Sequence, residues 1–306
     1  MSISKFETLA KVCELGSLTK AAEVLGCTQS AVSHTINSLE EQFGFAILTR
    51  SRAGVKLTDD GQRIMPSVRG ILNYYEQLNQ TVSAIRGLDF GTVRIGAFTS
   101  VAVHWLPGVI KEFQRDYPNV DIKLLNGDYH DVEKWLTEGS VDLGFVNLPT
   151  SLNCECIALM EDRLLAILPP EYDLRGRDRF NVEDFAGQEF LMPSLGFHLD
   201  ILRALNRSNV TPVIRTTQVS DSVIISMVEH GLGVSVLSEL VLKGSRDDVQ
   251  AVPLDPPAYR QLGILVRDHE GKFIPVTGNQ TGVLLLDYLI GAMKRSGKLP
   301  RHPVAL

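Results

Sequence analysis

The stretch Ser17–Phe43, SLTKAAEVLGCTQSAVSHTINSLEEQF, decides the fold of the N-terminal part of the chain. Its apolar residues mark two short helices separated by a turn at Gly26. These residues are Ala21, Ala22, Val24 and Leu25 in the first helix and Val32, Ile36, Leu39 and Phe43, at steps of four, three and four, in the second. Two short helices joined by a glycine turn predict a helix-turn-helix.

The polar residues of the second helix fall together on the side opposite its apolar stripe. They are Gln29, Ser30, Ser33, His34 and Asn37. A short set of hydrogen-bonding side chains on an exposed helix suits the major groove of DNA. Ser17 and Thr28 precede the two helices and join the candidate DNA contacts, although capping of the helices alone would also explain their hydroxyl groups.

Segments on both sides complete a small domain. A leading helix is predicted from the stripe Ile3, Phe6, Ala10 and Cys13, which stops at Gly16. After Phe43, two short strands around a turn at Ala53-Gly54 predict a wing. Arg50 and Arg52 in this wing could contact phosphates or the minor groove, or could be ordinary solvated charges.

A long helix is predicted after Thr58, which is suited to cap it. Its apolar residues follow at alternating steps of four and three: Ile64, Val68, Ile71, Tyr75, Leu78, Val82 and Ile85. Such a heptad seam favours a dimerisation helix, with packing against its own chain as the alternative. The seam ends at the glycine-bearing linker 87–91.

From residue 92 onward, strand-like and helix-like segments alternate. The first series covers residues 92–98, 106–113, 120–125, 132–136 and 141–146, and the second runs from 164 to 237. This alternation predicts two α/β units around a parallel-type sheet flanked by helices.

Bulk composition sets wider limits. The 306 residues carry a net charge of −6, and the first 90 residues balance four Lys and five Arg against nine Asp and Glu, so electrostatics alone would not suggest DNA. No uninterrupted apolar run of about 18 residues occurs, and the N-terminus does not resemble an export signal. With only four cysteines, we expect a cytoplasmic protein without disulfides or a membrane partner.

The chain resembles the LysR-type transcriptional regulators. The matching residues are Phe6, Gly16-Ser17, Ala21-Ala22, Leu25, the run Thr28–Ser33, Ile36, Leu39-Glu40, Arg50, Leu57-Thr58 and Gly61. Later segments such as LPGVIKEFQRDYPNV and VEHGLGVSVLS also look like this family. His34 and Ala53 depart from it, because the family often has basic residues there.

The resemblance implies a winged helix-turn-helix at 1–58, a linker helix and hinge at 59–91, and a two-lobed effector domain at 92–306 similar to periplasmic binding proteins. Lobe I would comprise 92–161 and 267–306, and lobe II 162–266, with crossings near 147–156 and 263–267. It also implies a homodimer or homotetramer that binds promoter DNA, responds to a small effector and contacts RNA polymerase.

The cleft between the lobes is the expected effector site. By position in the family pattern, its candidate residues are Thr99, Ser100, Asn147, Ser194, Phe197 and Ser220, with Asp128, His198 and Asp221 as weaker ones. Helix N-termini near 99, 194 and 220 favour a carboxylate or similar anion. Helix capping would also explain each of these hydroxyl groups. Since no arginine stands at these loop positions, a neutral polar or aromatic effector is the alternative to an anion.

Two other functions compete with a ligand-responsive regulator. A solute-binding protein would lack a use for the helix-turn-helix, and an enzyme would need catalytic residues. Neither a nucleophile motif, a metal-ligand spacing nor a phosphate or dinucleotide loop occurs, so we expect no enzyme activity, cofactor or metal. Cys154 and Cys156 are weak candidates for redox sensing.

Overall fold

A computed structural model describes residues 2–51, 54–85, 91–152, 154, 156–193, 199–216, 219–244 and 248–266. Within these ranges, no helix has both the length and the apolar character needed to cross a membrane. The predicted contribution of residues 267–306 to the first lobe lies outside them.

The N-terminal domain is built from α1 (Ile3–Leu15), α2 (Leu18–Leu25) and α3 (Gln29–Phe43). Each helix ends at a glycine with a left-handed backbone, and Gly26 at φ 64° makes the predicted turn between α2 and α3. The buried core is Phe6, Leu9, Val12, Leu18, Ala21, Ala22, Val32, Ile36 and Leu39, continued by residues 47, 48, 65 and 68. The helix-turn-helix and its leading helix are therefore confirmed.

The predicted apolar face of α2 is partly wrong. Ala21 and Ala22 are buried, but Val24 and Leu25 are 62% and 37% exposed. Leu18, three residues before Ala21, completes the buried face instead. A helix of only eight residues presents one narrow stripe to its neighbours, so the apolar residues of its last turn lie outside it.

The wing consists of β1 (Leu48–Ser51) and β2 (Gly54–Leu57), paired antiparallel as predicted. The Glu40 carboxylate of α3 accepts hydrogen bonds from the backbone N–H groups of Ile47 (2.7 Å) and Leu48 (3.0 Å). Gly54 lies against the end of α1, where a Cβ atom would come within 2.8 Å of the Gly16 carbonyl oxygen. The wing is thereby fixed to both α1 and α3.

Helix α4 (Asp59–Ile85) spans 27 residues, and the Thr58 hydroxyl accepts a hydrogen bond from the Gly61 N–H at its start. The first part of its seam packs on its own chain, since Val68 is buried in the N-terminal core and Ile64 packs against it. The later part is exposed. The alternative, packing against its own chain, therefore holds for the first part of the seam, and dimerisation stays a prediction for the exposed part.

The rest of the chain alternates strands and helices. The first group is β3 (Gly91–Ala97), α5 (Thr99–His104), α6 (Leu106–Asp116), β4 (Val120–Asn126), α7 (Tyr129–Glu138), β5 (Leu143–Leu148) and β6 (Ile157–Leu168). The second is β7 (Phe180–Asn181), a 3-10 turn (Val182–Phe185), β8 (Glu189–Met192), α8 (Leu199–Arg207), β9 (Val213–Thr216), α9 (Asp221–Glu229), β10 (Ser235–Ser238), α10 (Glu239–Leu242), β11 (Gln250–Asp255) and β12 (Tyr259–Val266).

The main sheet is mixed, not parallel throughout as the alternation predicted. Its order is β4-β3-β5-β12-β6-β11-β7, with β10 also paired to β6, and β8 and β9 form a separate parallel pair. Strands β3, β4 and β5 are parallel, but β12 runs antiparallel to β5 and β6. Strand β12, the last one in the described part of the chain, returns from the second unit and inserts beside β5, so it runs in the opposite direction.

Strands β6 and β12 join two separate cores. Leu159 and Ile264 belong to a first core with α5 and α6, whereas Leu164 and Leu254 belong to a second with α8. The chain thus changes lobes within β6 and again between β11 and β12. The change within β6 falls between Leu159 and Leu164, at the predicted lobe bound 161/162 and after the crossing predicted near 147–156. The second change precedes the crossing predicted near 263–267, because β12 pairs along the whole of β5.

Candidate nucleic-acid interface and effector cleft

The outer face of α3 is the candidate DNA-contacting surface. Gln29, Ser30, His34 and Asn37 are exposed, and Ser33 is half-buried. Val32, Ile36 and Leu39 bury the opposite side of the same helix. A polar helix face held this firmly by its own core is available to base edges.

Arg50 extends from the wing onto this face. Its Nη1 donates to Ser33 Oγ (3.1 Å) and its Nη2 donates to Asn37 Oδ1 (2.8 Å). Both partners are neutral, so these hydrogen bonds position the guanidinium without cancelling its charge. A cation fixed beside a recognition helix is suited to a DNA phosphate. Arg52, the other predicted wing contact, lies outside the described residues.

Ser17 and Thr28 cap their helices, in agreement with the alternative that their hydroxyl groups serve as helix caps. Ser17 Oγ accepts from the Lys20 N–H (3.3 Å), and Thr28 Oγ1 accepts from the Ala31 N–H (3.2 Å). Thr28 Oγ1 also lies 2.9 Å from Ser30 Oγ. Whether either residue contacts DNA stays a prediction.

Arg260 is the centre of a buried polar network where the lobes meet. Its Nε donates to Asp162 Oδ2 (2.7 Å), its Nη1 to the Tyr129 hydroxyl (2.7 Å) and its Nη2 to Ser100 Oγ (2.9 Å). The Phe98 ring lies 5.3 Å from its guanidinium carbon. Asp162 also accepts from the Leu240 N–H (3.0 Å). The network joins the crossing strands β6 and β12 to the N-termini of α5 and α7.

Burial controls the protonation of this network. Burial lowers the pKa of Arg260, but Tyr129 and Asp162 raise it by more, so the guanidinium stays charged. Burial also raises the pKa of Tyr129 to about 12, and the phenol therefore stays protonated. A charged arginine, 4% exposed, thus faces an aspartate that is 2% exposed.

A small cavity, partly open to solvent, adjoins the network. Its polar lining includes Tyr129, Arg260, Asp200 and Asp221, and its apolar lining includes Leu164, Ile201, Val236 and Leu237. These residues come from both lobes. An apolar cleft with a few convergent polar groups is the usual form of a small-molecule site.

Two of the predicted cleft residues are buried beside this cavity. Ser100 contacts Arg260, and the Nδ2 of Asn147 donates to Asp200 Oδ2 (2.7 Å) across the lobes. Asp221, a weaker candidate, lines the cavity itself. These three residues are brought together by the fold, and their contact with an effector stays a prediction.

The other predicted residues lie differently. Thr99 and Ser220 are exposed, and their hydroxyls bond to Asn126 Oδ1 (3.3 Å) and Ser222 Oγ (2.9 Å). Asp128 forms a capping box with Asp131 at the start of α7. Ser194, Phe197 and His198 lie outside the described residues.

Sequence reasoning missed the centre of the cleft. No arginine stands at the predicted loop positions, but Arg260 comes from β12 and pairs with Asp162 on β6. The sequence does place a charged residue at the start of an apolar run in each of these strands. The two runs are RQLGILV in β12 and DRLLAIL in β6. Two isolated opposite charges entering buried strands suggest a pair.

Cys154 and Cys156 are half-buried thiols. Burial raises the pKa of both, and that of Cys156 to about 12, so little thiolate forms at neutral pH. Redox sensing depends on a low-pKa thiolate and is disfavoured here. Within the described ranges, no group of three or more His, Cys, Asp or Glu side chains could hold a metal ion.

Comparisons with known proteins agree with this architecture. Residues 3–62 match the family described as bacterial regulatory helix-turn-helix protein, lysR family, and residues 86–271 match the LysR substrate binding domain. The HTH-type transcriptional regulator YvbU of Bacillus subtilis is 30% identical over 271 residues, covering 87% of this chain and 92% of its own. A regulator of Methanocaldococcus jannaschii is 32% identical over 272 residues, covering 85% and 91%.

Solved structures show the same fold. Full-length OxyR from Pseudomonas aeruginosa, a single-residue variant, has a TM-score of 0.73 at 18% identity and covers 99% of this chain and 98% of its own. CbnR in complex with its target DNA has a TM-score of 0.63 at 17% identity and covers 97% and 100%. The predicted winged helix-turn-helix with a two-lobed α/β domain is confirmed, and the relatives are named as transcriptional regulators, not as enzymes. The chain belongs to the LysR family of DNA-binding transcriptional regulators with an effector-binding domain.

Proposed function

We propose that this regulator acts in the cytoplasm as a homo-oligomer that contacts promoter DNA through α3 and the wing. The observation that carries the proposal is the polar face of α3 with Arg50 fixed across it by Ser33 and Asn37. In a complex, side chains such as Gln29 and His34 would contact base edges, while Arg50 would neutralise a phosphate.

The exposed part of the α4 seam supports dimerisation. Ile71, Tyr75, Leu78 and Val82 are 41%, 41%, 59% and 37% exposed and recur with heptad spacing. A second α4 could bury this stripe, since apolar residues at such spacing pack between paired helices. Paired subunits would present two α3 helices to successive major grooves. Assembly into a tetramer and contact with RNA polymerase are implied by the family resemblance alone.

Helix α7 offers a physical connection between the cleft and the DNA-binding region. At its start, the Tyr129 hydroxyl contacts Arg260. At its end, Glu138 pairs with Arg69 of α4, and the Gly139 carbonyl accepts a hydrogen bond from Asn73 (3.1 Å). An effector that moves Tyr129 would therefore shift α4 through a rigid helix and alter the spacing of the two α3 helices.

Gel retardation at stated salt, with DNA from the promoter region of the protein's own gene, tests the proposal. The triple variant Gln29→Ala, Ser33→Ala, His34→Ala is expected to lose at least tenfold in affinity, because each removed base contact is worth about 1–3 kcal/mol. Gln42→Ala is the matched control, since it removes the same side chain from the last turn of α3.

Undiminished binding by the triple variant would refute the role of α3. A wild-type chain that ignores duplex DNA at modest ionic strength would refute the regulator mechanism and revive the solute-binding alternative. Thermal unfolding of each variant shows whether the fold is intact, since Gln29 and His34 are exposed and contribute little to the core.

A further inference from the structure

The charges around the cleft do not balance. The cavity lies beside three carboxylates, Asp162, Asp200 and Asp221, and two guanidiniums, Arg260 and Arg203. Asp162 occupies the Arg260 guanidinium, since its Oδ2 lies 2.7 Å from Nε and 2.6 Å from Nη2. Asp200 is paired as well, because its Oδ1 lies 3.0 Å from Arg203 Nη1. Both guanidiniums therefore offer little remaining charge to a ligand, and Asp221 determines the sign of the cavity.

Asp221 has the least compensation of the three. It is the first residue of α9, half-buried on the cavity wall, and makes no hydrogen bond or ion pair with the part of the chain that the structure describes. Burial raises its pKa, and among the described residues only the charge of Arg260, which Asp162 already neutralises, opposes this effect. The N-terminus of α9 offsets only a fraction of one charge.

Asn147 adds a second, independent acceptor near the same wall. Its side chain is buried, with 6% exposed, and its Nδ2 donates to Asp200 Oδ2. Since the amide nitrogen must face that carboxylate, the amide oxygen is the free end, and Oδ1 has no hydrogen-bond partner among the described residues. A buried acceptor without a donor costs free energy that a ligand N–H would recover.

We infer that the effector of this regulator carries a protonated amine or similar organic cation, which Asp221 binds. The inference rests on the proposed effector cleft and names the chemical class that it takes. A carboxylate effector would have to displace Asp162 from Arg260 and leave that aspartate buried without a counter-charge. A metal ion is a poor alternative, because no group of three or more His, Cys, Asp or Glu side chains among the described residues could hold one.

Thermal unfolding of the full chain tests this inference. The probes are methylammonium, putrescine and agmatine, compared with acetate, succinate and benzoate at equal ionic strength. At least one ammonium compound is expected to raise Tm by about 2 °C or more at high concentration, because a ligand that binds only the folded state stabilises it. The carboxylates should act no differently from sodium chloride.

Asp221→Asn is the decisive variant, since it keeps the shape of the side chain and removes its charge. We expect it to raise the Tm of the ligand-free chain at neutral pH and to weaken amine binding by about tenfold or more. Asp121→Asn removes an exposed charge on β4 and should change neither quantity. Crystal or NMR data should place the bound ammonium group beside Asp221.

Three outcomes overturn the inference: no ammonium compound raises Tm above the salt control, only carboxylates raise it, or Asp221→Asn binds the amine as tightly as the wild type. Gel retardation with the same preparation separates this failure from that of the proposed function. A chain that binds its promoter DNA but ignores every ammonium compound refutes the cationic effector and leaves the regulator intact.

Discussion

The two functional regions place their polar residues in opposite ways. The candidate DNA-contacting residues of α3 lie within nine positions of one another and are mostly exposed. The cleft network joins residues 98, 131 and 160 positions apart, and its central pair, Arg260 and Asp162, is 4% and 2% exposed. The polar residues of α3 lie on the surface, over a core that is complete without them. The charged residues of the cleft are themselves buried in the core.

This difference has a thermodynamic consequence. Exposed polar residues on α3 can change with little effect on folding, because they exchange one set of water contacts for another. A buried charge pair is tied to the stability of the lobes that hold it, because either partner alone is expensive to bury. Mutations should therefore affect recognition in the first region and stability in the second.

Arg260→Met should have the largest effect. It leaves Asp162 buried without its counter-charge and removes the donor to Ser100 and Tyr129, so we expect a loss of about 3–5 kcal/mol in the free energy of unfolding. Urea unfolding followed by tryptophan fluorescence measures this loss, since both tryptophans, Trp105 and Trp135, lie in the effector domain.

Arg163→Met is the control for that prediction. Arg163 neighbours Asp162 but pairs with Glu239 at the surface, where both side chains are about half exposed, so its loss should cost less than about 1 kcal/mol. The double variant Asp162→Asn, Arg260→Met should regain part of the stability. Equal stability of Arg260→Met and the wild type would contradict the contrast between the regions.

The same contrast explains what could be predicted from the sequence. The helix-turn-helix was predictable because its core and its polar face follow a 3.6-residue period within 30 residues, and only Val24 and Leu25 were misplaced. The Arg260 network was not, because periodicity describes one element at a time. Nothing local to β12 shows that it inserts beside β5 and brings residue 260 to residues 100, 129 and 162.

Leu78→Glu tests the exposed seam and should rank second. Placing a charge in a paired α4 interface forfeits the burial of one leucine per subunit, about 1.5–3 kcal/mol each, and adds repulsion across the dimer axis. Sedimentation velocity should show a shift from dimer to monomer at micromolar concentration. Asn79→Glu introduces the same charge one residue off the seam and should remain dimeric. A dimeric Leu78→Glu protein would place the interface elsewhere.

Arg50→Ala should have a smaller effect, confined to DNA binding. We expect about a tenfold loss of affinity, similar for different DNA sequences, and a salt dependence reduced by about one phosphate contact. Gel retardation at several salt concentrations gives both quantities. Arg63→Ala is the control, because Arg63 is an exposed arginine that lies 3.7 Å from Asp60. A loss that depends strongly on base sequence would instead assign Arg50 to base recognition.

Loss of the contact between α4 and α7 should have the smallest effect on stability. It is also the most direct test of how the two regions are coupled. Arg69 and Glu138 are each about one-quarter exposed, so Glu138→Gln should cost less than about 1 kcal/mol. Its effect should be on cooperativity. Tryptophan fluorescence follows only the effector domain, whereas far-ultraviolet circular dichroism follows helices in both regions.

In the wild type, the two signals should share one urea midpoint if the contact couples the regions. In Glu138→Gln the two urea midpoints should differ, because the midpoint of only one signal shifts. Glu14→Gln, which breaks the exposed Lys11–Glu14 pair within α1, should move neither midpoint appreciably. If the midpoints already differ in the wild type and Glu138→Gln leaves that difference unchanged, α7 does not transmit stability to α4, and an effector signal would have to reach α4 by another contact, such as that of Arg94 on β3 with Glu76.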